Sequence, residues 1–583
     1  MVLTATVKEI QKLLSIARGK QEADLYLDGG NLINVLSGEI YPANVAVWQG
    51  RIAYVGKSRG MVGAHTTVIN TGGYYLCPAL IEAHYHPWVI YNPVSIMEAA
   101  LPRGITTMVC DNLPFFIQLG AEGLIKLMQA LENFPLRLFW MARLLPQSPD
   151  PDEEEIFSIA YLKQLFGDPH VLKMAEVTRW PRLVEGNSSL LEKIHLAKET
   201  GLGFDGHTAG CSYDLLNAAV VCGIESCHEA ITAEEVAQRV RLGLWTMLRY
   251  SSLRPDLPEL IRAITEMNLS TGRMILTTDC PGPSFVAREG LLDGMLRIAV
   301  ANELNPVTAL QMATINPATY LRMDNELGSI APGRWADILL LPDLENFMPH
   351  MVISRGRVVA VDNKLAVPLT APDWKELGLH THLPPADLVS NPHIYGVSSD
   401  KTEGFPVIKV ISAAITRRED RRFKQQDGFL EREEDILYCT LIDRHGKWVT
   451  NGFVRGIGQI EALATTFTTS LDFLVLGQDR PAMARAAAMV VEMGGGIVLI
   501  EKGEVLFHFP LELEGVMSAR PFAEVAGKIE KLEQEIRKLG YSYTDILFTL
   551  VFLVADFLPG LRITASGIID VKSRQVLIPS RQV

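Results

Sequence analysis

The chain has 583 residues, with 54 Lys and Arg against 67 Asp and Glu, a formal charge of −13. At roughly 150 residues per domain it holds about three to four units, and an acidic balance of this size speaks against a nucleic acid or an anionic membrane as partner. Seven scattered cysteines with no Cys-x-x-Cys pair exclude a cysteine zinc module and fit a reducing compartment, so a cytoplasmic location is expected.

The N-terminus, MVLTATVKEIQKLLSIARGK, has helical apolar spacing at Ile10, Leu13, Leu14 and Ala17. Short β-prone runs from Ala23 to Ile69, broken at Gly29-Gly30, Ser37-Gly38 and Gln49-Gly50, predict strands of a small antiparallel sheet. The texture returns at 334–361, so one small β-sandwich is expected from both flanks of the segment between.

That segment alternates short apolar runs with helical periodicity. The candidate strands are LCPALIEA, GITTMVCD, LRLFWMARL, VLKMAEV, GLGFDGH, GIESCHE, LWTMLRY and RMILTTD. Eight β/α units over some 250 residues is the arithmetic of a (β/α)₈ barrel, with a doubly wound open sheet as the alternative. The predicted fold class is therefore α/β. Its parts are an N-terminal helix and first sandwich strands (1–75), a barrel (76–328), return strands (329–362), a Pro-rich linker (363–406) and a C-terminal α/β domain (407–583). In that last domain Arg417–Arg422 predicts a solvated loop or hairpin tip. Gly494-Gly495-Gly496 lacks the Lys-Ser/Thr of a phosphate loop and predicts a turn. The ten-residue run Ile546–Ala555 is half a membrane span.

His84-Tyr85-His86 ends the first barrel strand, and residues i and i+2 of a strand face one side, so both imidazoles reach one ion. With 13 histidines, roughly 0.3 such pairs arise by chance. His380-Thr381-His382 has the same spacing but lies in the Pro-rich stretch, and is taken as incidental. The first pair has company: Glu176 ends strand 4, His207 strand 5, His228 lies in strand 6 and Asp279 ends strand 8. Barrel enzymes place their chemistry at these strand ends. Such a set would hold one or two divalent ions and acidify a water into a nucleophile. Asp279, opposite the histidine pair, would pass the nucleophile's proton to a leaving nitrogen. The expected class is hydrolysis at an sp² carbon of an amide, cyclic amide or amidine-like ring.

This order of ligands, with the closing run Gly328–Asp337, resembles the amidohydrolase superfamily, and within it the adenine deaminase branch. The matching runs include NVLSGEIYPANVAV, PALIEAHYH, LPRGITTMVCD, DGHTAG, ITAEEVAQRVRLG and NPATYLRMDNELGSIAPGRWAD, then NGFVRGIG, MGGGIVLIEKGEV, LEGVMS and GIIDV. The resemblance implies that His84 and His86 bind a first metal, Glu176 bridges, and His207 and His228 bind a second. It implies Asp279 as the metal-bound proton shuttle, with Glu176 and His228 in the catalytic set. The implied reaction is adenine and water to hypoxanthine and ammonia, with Mn, Fe or Zn as the metal, a small-molecule substrate and a homodimer or larger homo-oligomer.

Departures surround these ligands. The branch's Ile-Glu-Ser-Ser is here Pro87-Trp88-Val89-Ile90, its Asp-Pro-His-Glu is Asp111-Asn112-Leu113-Pro114, and its Asp-His-Glu is Cys227-His228-Glu229. Its Arg-Glu-Gly-Ser is Arg249-Tyr250-Ser251-Ser252, its Asp-Asp-Arg-His-Pro is Asp279-Cys280-Pro281-Gly282-Pro283, and a His-Asp-Ser-His stretch is Thr468-Thr469-Ser470-Leu471. Candidate substrate contacts are Tyr85, Trp88, Asp111, Arg249 and Tyr250. Polar groups exchanged for apolar ones leave open a less polar cyclic amide or amidine-like substrate, or a metal-binding paralogue without catalysis. Cys227 and Cys280 adjoin His228 and Asp279.

Overall fold

The computed structural model describes residues 6–399 and 401–583. The start of the expected N-terminal helical segment, residues 1–5, lies outside them. Helix α1 (Val7–Ala17) begins at Thr6, whose hydroxyl accepts from the Glu9 amide while the Glu9 carboxylate accepts from the Thr6 amide.

Strands β1 (Leu25–Asn34), β2 (Glu39–Trp48), β3 (Arg51–Gly56), β4 (Thr67–Asn70) and β5 (Tyr75–Pro78) lead into the barrel. Eight short strands follow at the predicted positions: β6 (Leu80–Tyr85), β7 (Ile105–Cys110), β8 (Arg137–Ala142), β9 (Val171–Met174), β10 (Gly203–Phe204), β11 (Ser226–Cys227), β12 (Trp245–Arg249) and β13 (Met274–Thr277). They form two parallel sheets, β6 to β10 and β11 to β13. The Glu225 amide donates to the Phe204 carbonyl at 2.9 Å and links β10 to β11. A parallel bridge between Tyr85 and Asp279 links β13 back to β6 and closes the ring. The strands are buried on both faces, as expected where helices cover a parallel sheet.

After the barrel the chain returns as β14 (Ile338–Leu341), β15 (Met351–Ser354), β16 (Arg357–Val361) and β17 (Lys364–Leu365). These join the first five strands in one nine-stranded sheet, because β14 pairs antiparallel with β5. The sheet is mixed rather than purely antiparallel: β1 runs parallel to both β4 and β5.

Residues 363–406 differ from a free linker. Trp374, Leu379, Val389, Ile394 and Tyr395 are buried, the last donating its hydroxyl to the Val389 carbonyl at 2.6 Å. The prolines break regular structure, but the intervening apolar residues strap this segment to its neighbours. The C-terminal sheet begins with β18 (Phe405–Val410) and β19 (Thr416–Arg421). Arg417–Arg422 is thus largely an edge strand and not a loop: its charges line the solvent side, as edge strands require. The sheet continues through β20 (Ile436–Ile442), β21 (Trp448–Arg455), β22 (Ala462–Thr465), β23 (Phe473–Gly477), β24 (Gly496–Glu501) and β25 (Glu504–Pro510), in the order β19-β18-β21-β20-β23-β22-β24-β25. Helices α2 (Arg480–Glu492) and α3 (Phe522–Lys538) accompany these strands. No helix among the described residues is long and apolar enough to cross a membrane. The run after Asp545 is instead α4 (Ile546–Phe552), a buried helix capped by the Asp545 carboxylate.

This C-terminal domain sits on the end of the barrel where the strands terminate. Ile90, just past β6, exchanges backbone hydrogen bonds with Val516 (3.1 Å) and Ser518 (2.7 Å). Ser148 donates to the Val554 carbonyl at 2.8 Å, and Arg179 pairs with Asp556 at 2.6 Å. The docking covers the barrel mouth.

Candidate metal centre

Every barrel strand delivers a polar side chain at or just past its C-terminal end: His84 and His86, Asp111, Arg143, Glu176, Asp205 and His207, His228 and Glu229, Arg249, and Asp279. All are buried. Asp279 takes a left-handed backbone (φ 61°), a costly conformation for a non-glycine residue, fixed where its carbonyl accepts from the His86 amide at 3.1 Å. The strained residue that closes the ring also faces the histidine pair.

His84 Nε2 and His86 Nε2 are 3.3 Å apart, and Asp279 Oδ1 lies 3.4 Å and 3.2 Å from them. Ligands about 2.0–2.1 Å from a tetrahedral ion stand roughly 3.3 Å from one another, so this triangle has the dimensions of one coordination face. A second set adjoins it. Glu176 Oε2 is 2.9 Å from His207 Nδ1 and 3.2 Å from His228 Nε2, while Glu229 Oε1 stands 3.6 Å and 3.5 Å from the same nitrogens. Glu176 Oε1 reaches to 3.7 Å from His86 Nε2, which places this carboxylate between the two sets. Ligand-spaced groups are His84 with His86 and Asp279, His84 with Glu176 and His228, and His207 with His228 and Glu229. His207 Nε2 and His228 Nδ1 are buried and take no hydrogen-bond partner. The donor set fits one or two divalent ions of a borderline kind.

A shell of ion pairs fixes these groups. Arg143 donates to Asp111 at 2.5 Å and to Glu176 at 2.8 Å, and Asp111 in turn faces His86 Nδ1 at 3.4 Å. Arg249 joins Glu229 (2.5 Å) to Asp279 Oδ2 (2.8 Å). Asp205 hydrogen-bonds His84 Nδ1, which leaves Nε2 free for the centre. Burial pushes the Glu176 carboxyl upward, but the Arg143 charge and His207 outweigh it and hold it well below the usual carboxylate range. Burial likewise opposes ionisation of Asp279, and hydrogen bonds from His84 and His86 with the Arg249 charge prevail. Glu229 falls to about 2: its burial is overcome by Arg249 and then His207. Each carboxylate is therefore kept ionised, as a metal ligand must be.

The cavity over this centre has two kinds of wall. His86, Gln147, Glu176, His207, His228, Glu229, Arg249, Arg254 and Asp279 form its floor and side. Trp88, Val89 and Leu253 from the barrel loops meet a roof of Ala414, Phe548, Val551, Phe552, Phe557 and Leu558 from the C-terminal domain. Phe557 stands edge-on to His207 with ring centroids 5.4 Å apart.

All six predicted metal ligands meet here. Of the predicted substrate contacts, Trp88 lines the cavity and donates its indole N–H to Asp111 at 3.2 Å. Arg249 lines it too, whereas Asp111 lies behind it as the partner of Arg143. Tyr85 points away into the core, its hydroxyl against that of Tyr91 at 2.7 Å, and Tyr250 packs on Phe285 outside the cavity lining. Cys280 lines the cavity; Cys227 instead receives the Arg239 Nε–H at 3.2 Å. His380 and His382 lie elsewhere, beside His445. Sequence reasoning missed Arg143, Asp205, Glu229 and Arg254. The first three carried the same signal as the ligands, a polar residue at the end of an apolar run.

A profile of the amidohydrolase family matches residues 75–359, and one described as the adenine deaminase C-terminal domain matches residues 413–575. A protein of Halalkalibacterium halodurans, whose name gives adenine deaminase as an assumed activity, is 32% identical over 99% of this chain and 98% of its own length. Adenine deaminases of Moorella thermoacetica (31% identical, 96% of each chain) and Kosmotoga olearia (32%, covering 96% of this chain and 97% of that one) are similar over nearly the same span.

Proposed function

The chain belongs to the adenine deaminase branch of the amidohydrolase family and is a hydrolase of carbon–nitrogen bonds, and from that premise we propose that it converts adenine and water to hypoxanthine and ammonia. The observation that carries the reading is the convergence of His84, His86, Glu176, His207, His228 and Asp279 at ligand spacing, all but His84 lining one covered cavity. Amidohydrolases are generally dependent on divalent metals. In this reading His84, His86 and Asp279 hold one ion, His207 and His228 a second, and Glu176 lies between, with Mn, Fe or Zn each suited to the donors. A bound ion there supplies Lewis acidity, which acidifies water and polarises the ring carbon.

In this reading the protein's own residues act as follows. Asp279 accepts the water's proton and returns it to the departing exocyclic nitrogen. Arg249 binds the other carboxylate oxygen and fixes the angle from which Asp279 works. Arg143 keeps Glu176 ionised and, through Asp111, orients His86. The phenylalanine-rich roof excludes bulk water and strengthens each of these interactions.

A second reading is favoured by that roof. Nine apolar residues face the cavity, which suits a less polar cyclic amide or amidine-like substrate hydrolysed by the same residues. Ammonia release from a panel of aminopurines, measured on protein loaded with Mn, Fe or Zn, separates the two. Turnover of adenine with any of the three supports the first; none with all three refutes it.

A further inference from the structure

Arg254 lies on the cavity wall beside Leu253, beyond Glu229 as seen from the centre. Its Nε donates to Asp256 at 2.7 Å, and its Nη1 stands 3.8 Å from Glu229 Oε2. Two carboxylates thus hold the guanidinium plane from two sides. Nη2 is enclosed by protein, whereas Nη1, beyond hydrogen-bond distance of Glu229, keeps its N–H groups free to donate. A guanidinium N–H free of any hydrogen bond at a cavity wall is a donor for an incoming acceptor. Glu229 separates Arg254 from the histidines, its Oε1 being 3.5 Å from His228 Nε2. Arg254 therefore meets the part of a ligand remote from the reacting carbon.

We propose that Arg254 determines specificity: its Nη1 donates to an acceptor on the ring edge opposite the carbon being hydrolysed. The inference rests on the deaminase reading and narrows its substrate class to flat heteroaromatic amines with a neutral acceptor on that far edge. A neutral acceptor is favoured over a carboxylate because Asp256 and Glu229 already balance the guanidinium charge, leaving a directed donor rather than a field. Leu253, Phe552 and Phe557 on the same cavity supply the apolar surface for the ring faces. In adenine the matching atom is N3, on the side away from the amine-bearing carbon.

The test compares adenine with 3-deazaadenine, which has C–H in place of N3. Binding is measured by calorimetry on metal-loaded protein carrying Asp279→Asn to block turnover, with Arg254 intact, as Arg254→Met or as Arg254→Lys. Hydrogen bonds to charged groups lead us to expect about tenfold or greater preference for adenine with Arg254 intact. Arg254→Met brings the ratio to within about twofold by weakening adenine alone, and Arg254→Lys restores part of it. In the otherwise native enzyme, Arg254→Met raises KM for adenine about tenfold and changes kcat less than about threefold. A preference that persists in Arg254→Met, an equal loss for both ligands, or a fall in kcat at constant KM overturns the assignment. Ammonia release judges the reaction separately. A ligand preference that depends on Arg254 without turnover by the native protein sinks the deaminase reading and keeps the specificity role; failure of adenine to bind sinks both.

Discussion

Arg562 offers a direct test of whether the C-terminal domain is a working roof. The residue is 1% exposed and its guanidinium has only main-chain carbonyls as hydrogen-bond partners: Leu558 (3.3 Å), Phe552 (3.0 Å), Ala414 (2.7 Å) and Pro559 (2.9 Å). Ala414, Phe552 and Leu558 all line the cavity, so one cation ties together three separate pieces of its cover. Arg562→Met keeps most of the volume and removes every donor. The Phe552 carbonyl retains the Ala555 amide at 3.1 Å and the Pro559 carbonyl retains the Thr416 hydroxyl at 3.5 Å. The Ala414 and Leu558 carbonyls lose their bonds to Arg562, at about 1–3 kcal/mol each, offset in part because a buried cation is no longer desolvated. We expect a net loss of about 2 kcal/mol, which raises the population of an opened roof about 30-fold if it falls on local opening. The assay is hydrogen exchange over 410–416 and 546–562, with KM and kcat on metal-loaded protein. Faster exchange confined to these segments and a KM raised more than kcat is lowered are expected. Unchanged protection there, or uniformly faster exchange across the molecule, refutes the idea that Arg562 staples a roof.

Asp279→Asn preserves size and removes the proton acceptor, so turnover is expected to fall by about 10²–10⁴; activity within a few-fold of native shows the proton travels elsewhere. Dialysis against a chelator should lower the melting temperature, and returning Zn or Mn at 100 times its dissociation constant should recover about 2.7 kcal/mol. An identical melting curve with and without metal contradicts a centre built from six buried ligands. Asp472 is pushed up to about 7 by burial, against the pull of Arg444. The folded protein then holds that proton to about pH 7 while the unfolded chain releases it near 4. Its contribution to stability is present at low pH and declines as pH rises towards 7, a loss of about 2 kcal/mol between pH 5 and 7. Asp472→Asn should flatten that slope in denaturant titrations, and an unaltered slope refutes the assignment.

What the sequence made legible was whatever is local in the chain. Each barrel strand is an apolar run ended by a polar residue, and all eight occur in place because that pattern needs no partner to be visible. The same pattern carried Arg143 and Glu229, which went unassigned because a guanidinium or a second carboxylate has no place in a ligand count. Arg143 is legible only once Asp111 and Glu176 are seen on either side of it. The strap over 363–406 was obscured by its prolines, which hide periodicity without preventing Trp374 or Tyr395 from packing. The roof was the least legible part. Phe548, Val551 and Phe552 have ordinary helical spacing, and nothing in α4 itself says that it packs over histidines that lie far earlier in the chain, His86, His207 and His228.

The two His-x-His pairs show why spacing alone could not decide function. Their rings are similarly disposed, with centroids 5.1 Å apart in His84 and His86 and 4.7 Å in His380 and His382. What differs is the third neighbour. The first pair meets Asp279, brought across the barrel seam by a strained backbone, and Glu176 and Asp205 add negative charge behind it. The second meets His445, 5.1 Å from His382 between ring centroids. Burial, His380, His445 and Arg444 all lower the His382 pKa. The Arg444 guanidinium beside His382 and His445 opposes a cation there, while imidazoles faced by ionised carboxylates make a good seat. The barrel seam, where β13 returns to β6, supplies that difference, and closure of the fold and assembly of the ligand triangle are one structural event.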